Sequence, residues 1–312
     1  MAAPTARVVV FAPSPLLTVT IEQTTQNRDE IHLHAGGQGF WVARLLAVLE
    51  TRVTLCGAFG GETGRVVRTL IERENVRVAA VASAGSNGAY VHDRRGEARV
   101  ALAEMAPACL SRHEIDDLYG MALVEALDAD VCVLCGRAGT LLPADTYRRL
   151  ASDVRANGKP VVADLAGETL NVTLTGGVTV LKVSHEELLA DGRAHRDDFR
   201  SLVHAARDLV EAGAEHVIVS RAAAPALALL GGRLFAVAGP SVEAVDPHGA
   251  GDSMTAGVAA ALARGEDLDS AVRLGAAAGG LNATRRGLAT GIRSDIERLM
   301  EHVVIGPLEE DC

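Results

Sequence analysis

The sequence predicts an α/β protein: a three-layer α/β/α sandwich with a mostly parallel central sheet and a small β-sheet lid. Short β-branched runs alternate with longer amphipathic segments over most of the 312 residues, the rhythm of parallel strands joined by covering helices. Two stretches, approximately 19–34 and 89–102, break that rhythm with polar-apolar alternation, as expected of antiparallel strands with one wet face. Hydrophobic residues make up 48% of the chain and aromatic residues only 3%, enough for a large, aliphatic core. No internal repeat, low-complexity tract or linker interrupts the pattern, so a single domain over residues 1–312 with two lid insertions is expected.

The elements follow in order. Val8 to Phe11 is an unbroken apolar run and reads as a buried first strand. The first lid stretch follows, then helical periodicity from Trp41 to Leu49, a strand at Val53 to Cys56 and a helix from Gly64 to Arg73. In the second lid stretch, Arg94 to Gly96 supplies the turn. Beyond it, strands at Val131 to Leu134, Val161 to Asp164, Val178 to Val183 and His216 to Ser220 alternate with helices at Asp145 to Ala156 and Asp198 to Ala212. Two Ala-rich helices, Met254 to Ala263 and Ala271 to Ala283, come last.

A formal charge of −10 without a dense Lys/Arg run argues against a nucleic-acid partner. Arg7 precedes only a short apolar stretch broken by Pro13 and Pro15, which fits neither a signal peptide nor a membrane span; a cytoplasmic protein is expected. Five cysteines, Cys56, Cys109, Cys132, Cys135 and Cys312, form an odd count suited to a reducing compartment. Strand alternation turns Cys132 and Cys135 to opposite faces of the sheet, so their C-x-x-C spacing reads as core. His32 and His34 share a strand face without a third ligand nearby and read as a solvated lid surface.

The stretch Asp246-Pro-His-Gly-Ala-Gly-Asp252 carries the chemistry. Gly249 and Gly251 flank Ala250 at the mouth of a helix, where unpaired N–H groups and the helix dipole favour an anion. An acid beside such a cradle is unfavourable unless it has a task, and taking a proton from an attacking hydroxyl is one. Asp252 is thus a candidate base, its alternative being a helix cap. His248 lies close enough to that cradle to reach a phosphate or to be loop filler. An earlier cluster, Gly36, Gly37, Gln38 and Gly39, either admits a ligand to the backbone or makes a tight turn before a helix. Neither cluster completes the Walker A or the G-x-G-x-x-G pattern.

These segments, with ADLAGETL from Ala163 and LKVSHEEL from Leu181, resemble the ribokinase-like, pfkB-type carbohydrate kinases nearly end to end, in particular the 1-phosphofructokinase and tagatose-6-phosphate kinase branch. The resemblance implies a ribokinase-like fold and ATP- and Mg²⁺-dependent phosphorylation of a small sugar or sugar phosphate. It implies Asp252 as general base, the N–H groups of Gly249, Ala250 and Gly251 as anion hole, and Glu187 as the residue that positions Mg²⁺ through water. Lys182, Ser184, Ser220 and Asn282 would lie on the ATP side, Asn282 bordering the adenine.

The acceptor end departs from the family pattern. Ser14-Pro15-Leu16-Leu17-Thr18 stands where the family has Asn-Pro and a following Asp, so Thr18 replaces an acid that grips sugar hydroxyls. Gln38 replaces a Lys of this branch, and Trp41 replaces a sugar-binding Asn. Trp41 would fill the sugar pocket, stack on a ring or turn into the core; Arg137 would restore positive charge for a substrate phosphate or sit solvated in its loop. On the ATP side Ser184 replaces an Asn, and Ser220 opens a loop without the usual glycines. The leading expectation is a kinase; the alternatives are a ligand-binding protein that has lost turnover and a kinase for a nucleoside-like acceptor. Lid strands with free edges would allow a homodimer.

Overall fold

Val8, Val9, Val10 and Phe11 are all buried, which a strand achieves only with cover over both faces. The structure, a computed structural model, describes residues 6–96, 99–136, 138–285 and 287–308. Strand β1 (Arg7–Phe11) leads into a hairpin of β2 (Leu16–Gln23) and β3 (Asp29–Gly36), then α1 (Gln38–Val48), β4 (Arg52–Gly60), α2 (Gly61–Glu72) and β5 (Arg77–Ser83). A second hairpin, β6 (Ala89–Asp93) and β7 (Val100–Met105), precedes α3 (Arg112–Asp128), β8 (Val131–Cys135), α4 (Asp145–Ala156), β9 (Val161–Asp164) and α5 (Gly167–Leu174). Next come β10 (Val178–Ser184), α6 (His185–Ala190), α7 (Phe199–Glu211) and β11 (Ala214–Ser220). They are followed by β12 (Ala226–Leu230), β13 (Arg233–Ala238), α8 (Ala250–Ala263), α9 (Leu268–Ala283), α10 (Arg293–Met300) and β14 (Val304–Pro307).

Among the described residues the large sheet runs β14-β13-β12-β11-β10-β9-β8-β1-β4-β5. It is parallel from β11 to β5. Its two faces carry separate cores. Val8 and Val10 pack with α1, α2, α8, α9 and α10 on one side, and Val9 and Phe11 with α3, α4, α5 and α7 on the other. The fold is thus the expected ribokinase-like three-layer sandwich. Cys132 and Cys135 fall in opposite cores and are free thiols, as strand alternation requires.

Because β1 lies between β4 and β8, the chain builds outward from it in both directions, and the C-terminal ends of β1 and β8 border the crevice where open α/β sheets bind ligands. Both hairpins of the small sheet emerge beyond C-terminal ends of parallel strands, one after β1 and one after β5. The small sheet therefore stands over that end of the molecule.

Three differences from the sequence reading have physical causes. The small sheet, order β3-β2-β6-β7, is not wholly antiparallel: β2 and β6 come from different hairpins and pair in parallel. Strands β12 to β14 extend the large sheet antiparallel, and the Ala-Leu composition of Ala226–Leu230 carries no β-branched signal. Helix α3 buries only Leu118, Ala122 and Ala126 and leaves Val124 exposed, which blurs its periodicity. Its Ser111–Glu114 capping box was the readable sign.

Candidate active site

Helix α8 begins at Gly249, whose φ of 76° places it in the left-handed region that a side chain would strain. Asn282 of α9, almost wholly buried, holds the segment before the helix. Its Nδ2 donates to the His248 carbonyl at 2.7 Å and its Oδ1 accepts from Ala289 N–H at 2.8 Å. Asn282, expected to border the adenine, therefore spends its amide bracing the turn. Helix α9 stays close to α8 because Gly257 faces Gly275 so tightly that a Cβ on Gly257 would lie 2.7 Å from the Gly275 Cα. Of the three amides expected to form an anion hole, that of Ala250 donates to the Pro247 carbonyl at 3.2 Å. Among the described residues, the N–H groups of Gly249 and Gly251 carry no such bond, as expected of the first amides of a helix.

Asp252 follows in the first turn. Burial pushes its carboxyl pKa up to about 7, Asp164 and Glu187 push in the same direction, and Lys182 and a hydrogen bond from the Gln38 side chain oppose them. Gln38 is oriented by Gly136 N–H, which donates to its Oε1 at 2.9 Å, so its amide NH₂ is the group turned to Asp252. The residue that removes a cation from this position thus orients the candidate base. Beneath lies a buried pair: Lys182 Nζ is 3.2 Å from both oxygens of Asp164, and Thr255 Oγ1 donates to Asp164 Oδ2 at 2.6 Å. Burial works against the Lys182 charge, but Asp164, Asp252 and Glu187 outweigh it and raise its pKa. Lys182 was expected to face ATP; its bonds go to Asp164.

Ser184 caps α6, and Glu187 Oε2 accepts from both the N–H and the hydroxyl of Ser184 at 2.8 Å, completing a capping box. Oε1 takes no part in that box, which leaves Glu187 able to bind water. Ser220 offers its carbonyl to His185, and its hydroxyl lies 3.5 Å from the Val183 carbonyl.

The acceptor end differs from expectation at the glycines. A Cβ on Gly39 would lie 2.3 Å from Ala12 Cβ, and one on Gly36 would lie 2.6 Å from Thr18 Oγ1, so both are glycines because the chain packs against itself there. Gly37 has φ 99° and serves the turn into α1. Thr18, half-buried, pairs across the small sheet with His34 and Tyr90. Trp41 is half-buried and packs against the core on the α1 side of the sheet. Arg137 lies outside the described residues. Ser14 Oγ lies 3.3 Å from the Nδ2 of Asn87, a buried residue whose amide donates to the carbonyls of Pro15 and Ala58 and whose Oδ1 accepts from Gly60 N–H.

From the small sheet, Arg94 reaches Asp246 at 3.6 Å, and Asp246 also pairs with His248 at 2.6 Å. Arg99, hydrogen-bonded to His92, is close enough that Arg94 depresses its pKa after burial does, with Asp246 opposing. His32 and His34 stack with ring centroids 6.1 Å apart, and no cluster of three metal-ligating side chains occurs among the described residues.

Residues 12–295 match the model of the pfkB family carbohydrate kinases. The chain belongs to this family. It is 30% identical over 261 residues to a 1-phosphofructokinase of Bacillus subtilis, covering 82% of this chain and 84% of the relative. It is 28% identical over 307 residues to an ATP-dependent 6-phosphofructokinase isozyme 2 of Mycobacterium tuberculosis, covering 95% and 89%. Phosphofructokinase-2 of Escherichia coli shares the fold, with a TM-score of 0.84 at 24% identity over 95% of this chain and 99% of that one.

This pfkB-type protein is accordingly an ATP-dependent carbohydrate kinase, phosphofructokinase-like, acting on a sugar or sugar phosphate. Among the described residues no helix is long and apolar enough to cross a membrane. Within the kinase, Asp164 at the end of β9 is the partner of Lys182, which its place in the sequence does not reveal. A buried acid at the end of a parallel strand was the available signal for Asp164 itself. For Asn87 the local sequence offers no sign, since Asn87 acts through loops distant in the chain.

Proposed function

We propose that this kinase transfers the γ-phosphoryl group of ATP to a hydroxyl of a sugar monophosphate, with Asp252 as general base. The observation that carries this reading is the Asp252 carboxylate, half-buried, raised to about 7 and oriented by Gln38 at the mouth of α8, beside the amides of Gly249 and Gly251. As the acceptor oxygen bonds to the γ-phosphorus, its proton passes to Asp252 and the bond from that phosphorus to the β–γ bridging oxygen breaks, releasing ADP. The amides of Gly249 and Gly251 receive negative charge that builds on the transferred group.

Mg²⁺ typically keeps several waters and leans on one or two carboxylates plus substrate phosphates, so a single carboxylate beside the ATP phosphates is enough to hold it. Glu187, with Oε1 outside its capping box, would hold such a water. When bound, Mg²⁺ would neutralise charge on the ATP phosphates.

Arg94 and Arg99 support an anionic acceptor: two neighbouring cations share Asp246 as counter-charge at the small sheet's approach to α8. In this reading the small sheet is a lid on a single domain. Its apolar edge residues Ile31, Leu33, Val100 and Met105 are exposed and suit a two-fold homodimer. A cytoplasmic setting accords with the free thiols of Cys56, Cys132 and Cys135.

The test is ADP release by the purified chain across fructose phosphates, tagatose phosphate, free hexoses and nucleosides. Turnover with a sugar monophosphate, exceeding that with the free sugar, is expected. Turnover confined to nucleosides, or ATP binding without turnover on any acceptor, would sink the reading.

A further inference from the structure

Gly251 precedes the base by one residue, and its backbone does not explain why it is glycine. Unlike Gly249, it is not among the glycines of positive φ. What a side chain would meet does explain it. A Cβ at 251 would lie 2.6 Å from Lys182 Nζ and 3.3 Å from Lys182 Cε, with no other atom outside the helix's own backbone within 4 Å. The missing side chain points at the lysine.

A lysine ammonium can ordinarily swing aside, but this one has nowhere to go. Its side chain is 6% exposed and that of Asp164 1%, and Nζ is held by both Asp164 oxygens at 3.2 Å. Asp164 is tied in turn to α8 by Thr255, whose Oγ1 donates to Asp164 Oδ2 at 2.6 Å and lies 3.1 Å from the Gly251 carbonyl. Two routes, one steric and one through hydrogen bonds, thus connect the pair to the first turn of the helix. Moving the ammonium would leave a buried carboxylate without its counter-ion, which is strongly unfavourable.

We propose that Lys182 is the positioning residue of the catalytic turn: an ammonium wedged beneath Gly251, which is glycine to admit it, and fixed by Asp164 so that the unpaired amides and Asp252 keep their geometry. The inference rests on the kinase reading for its consequence in turnover, and on geometry alone for the wedge. It replaces two simpler roles. Gly251 is not there to let a phosphate approach from outside, and Lys182 acts through the turn it supports.

A double-mutant cycle between Gly251→Ala and Lys182→Met separates these roles. In the otherwise unchanged chain, Gly251→Ala is expected to lower kcat by roughly 10²-fold with the acceptor KM changed less than about threefold. In the Lys182→Met chain, already slow, the added Gly251→Ala is expected to cost less than about threefold. The same cycle is read by thermal melting without ligand. Gly251→Ala lowers Tm by about 3 to 8 °C when Lys182 is present and leaves it nearly unchanged when Lys182 is Met. An equal penalty for Gly251→Ala in both backgrounds, in kcat and in Tm, overturns the proposal. If Lys182→Met does not fold, Asp164→Asn combined with Lys182→Met leaves no lone buried charge and serves as the second background. Absence of any acceptor-dependent turnover in the unmodified chain would defeat the kinase reading, and the melting cycle would still decide the wedge.

Discussion

The floor of the site and the small sheet above it are built on opposite principles. In the floor, Asp164, Lys182, Thr255 and Asn282 are buried, with Asp252 half-buried beside them, and the four buried residues are held by hydrogen bonds that leave little room for adjustment. In the small sheet, Arg94 and Arg95 are exposed, and their ion pairs with the half-buried Asp246 and Asp93 face solvent from the arginine side and are screened by salt. Charge in the floor is fixed before a substrate arrives, whereas charge in the roof is available to be recruited by one. The chemistry of a transferase needs the first, and recognition of a particular acceptor needs the second.

The largest expected effect breaks the comparison from below. Asp252→Asn should lower kcat by roughly 10²- to 10⁴-fold with little change in acceptor KM, because the amide cannot take the proton. The same variant should melt higher than the parent at alkaline pH. A carboxyl whose folded pKa lies near 7, above its unfolded value, favours the fold fully below the unfolded value and loses that contribution as pH rises through about 7. The gain in Tm should therefore appear above neutrality and vanish near pH 4, which melting curves at both pH values check. A parent enzyme whose kcat/KM shows no acid limb near neutrality would contradict the role of this group.

Next in size is the roof. Arg94→Ala with Arg99→Ala should raise the KM for a sugar monophosphate by about 10- to 100-fold while kcat falls less than about threefold. For the corresponding free sugar the KM should not move. A loss of kcat instead, equal for both acceptors, would place these arginines in the chemistry and blur the distinction between roof and floor. The smallest effect concerns assembly. Ile31→Glu with Leu33→Glu should halve the mass seen by light scattering and leave kcat within about twofold, and an unchanged mass would remove the small sheet from the interface.

What the sequence made legible divides along the same line. Gly249, Asp252 and the strands beneath them are local signals, a glycine-rich turn entering an Ala-rich helix and β-branched runs of the right length. The bonds that give those residues their character are not local. Lys182 meets Asp164 across neighbouring strands, Gln38 meets Gly136 across 98 positions, and Asn282 reaches back 34 positions to His248. Spacing in the sequence could point to each residue but not to its partner, so neither the bonds of Asn282 to His248 and Ala289 nor the packing of Gly39 on Ala12 could be read from it. The parallel pairing of β2 with β6 escaped for the same reason, since register between two separate hairpins is written in neither of them.

The distances along the chain have a consequence for how this enzyme comes into being. Asp252 joins Gln38, Asp164 and Lys182 only when α8 settles over β1, β8, β9 and β10. During synthesis from the N-terminus, Asp164 and Lys182 are made before α8 and have to wait for the helix that will bury them. A nascent chain can hold most of its sheet and still lack Asp252 and the helix that carries it.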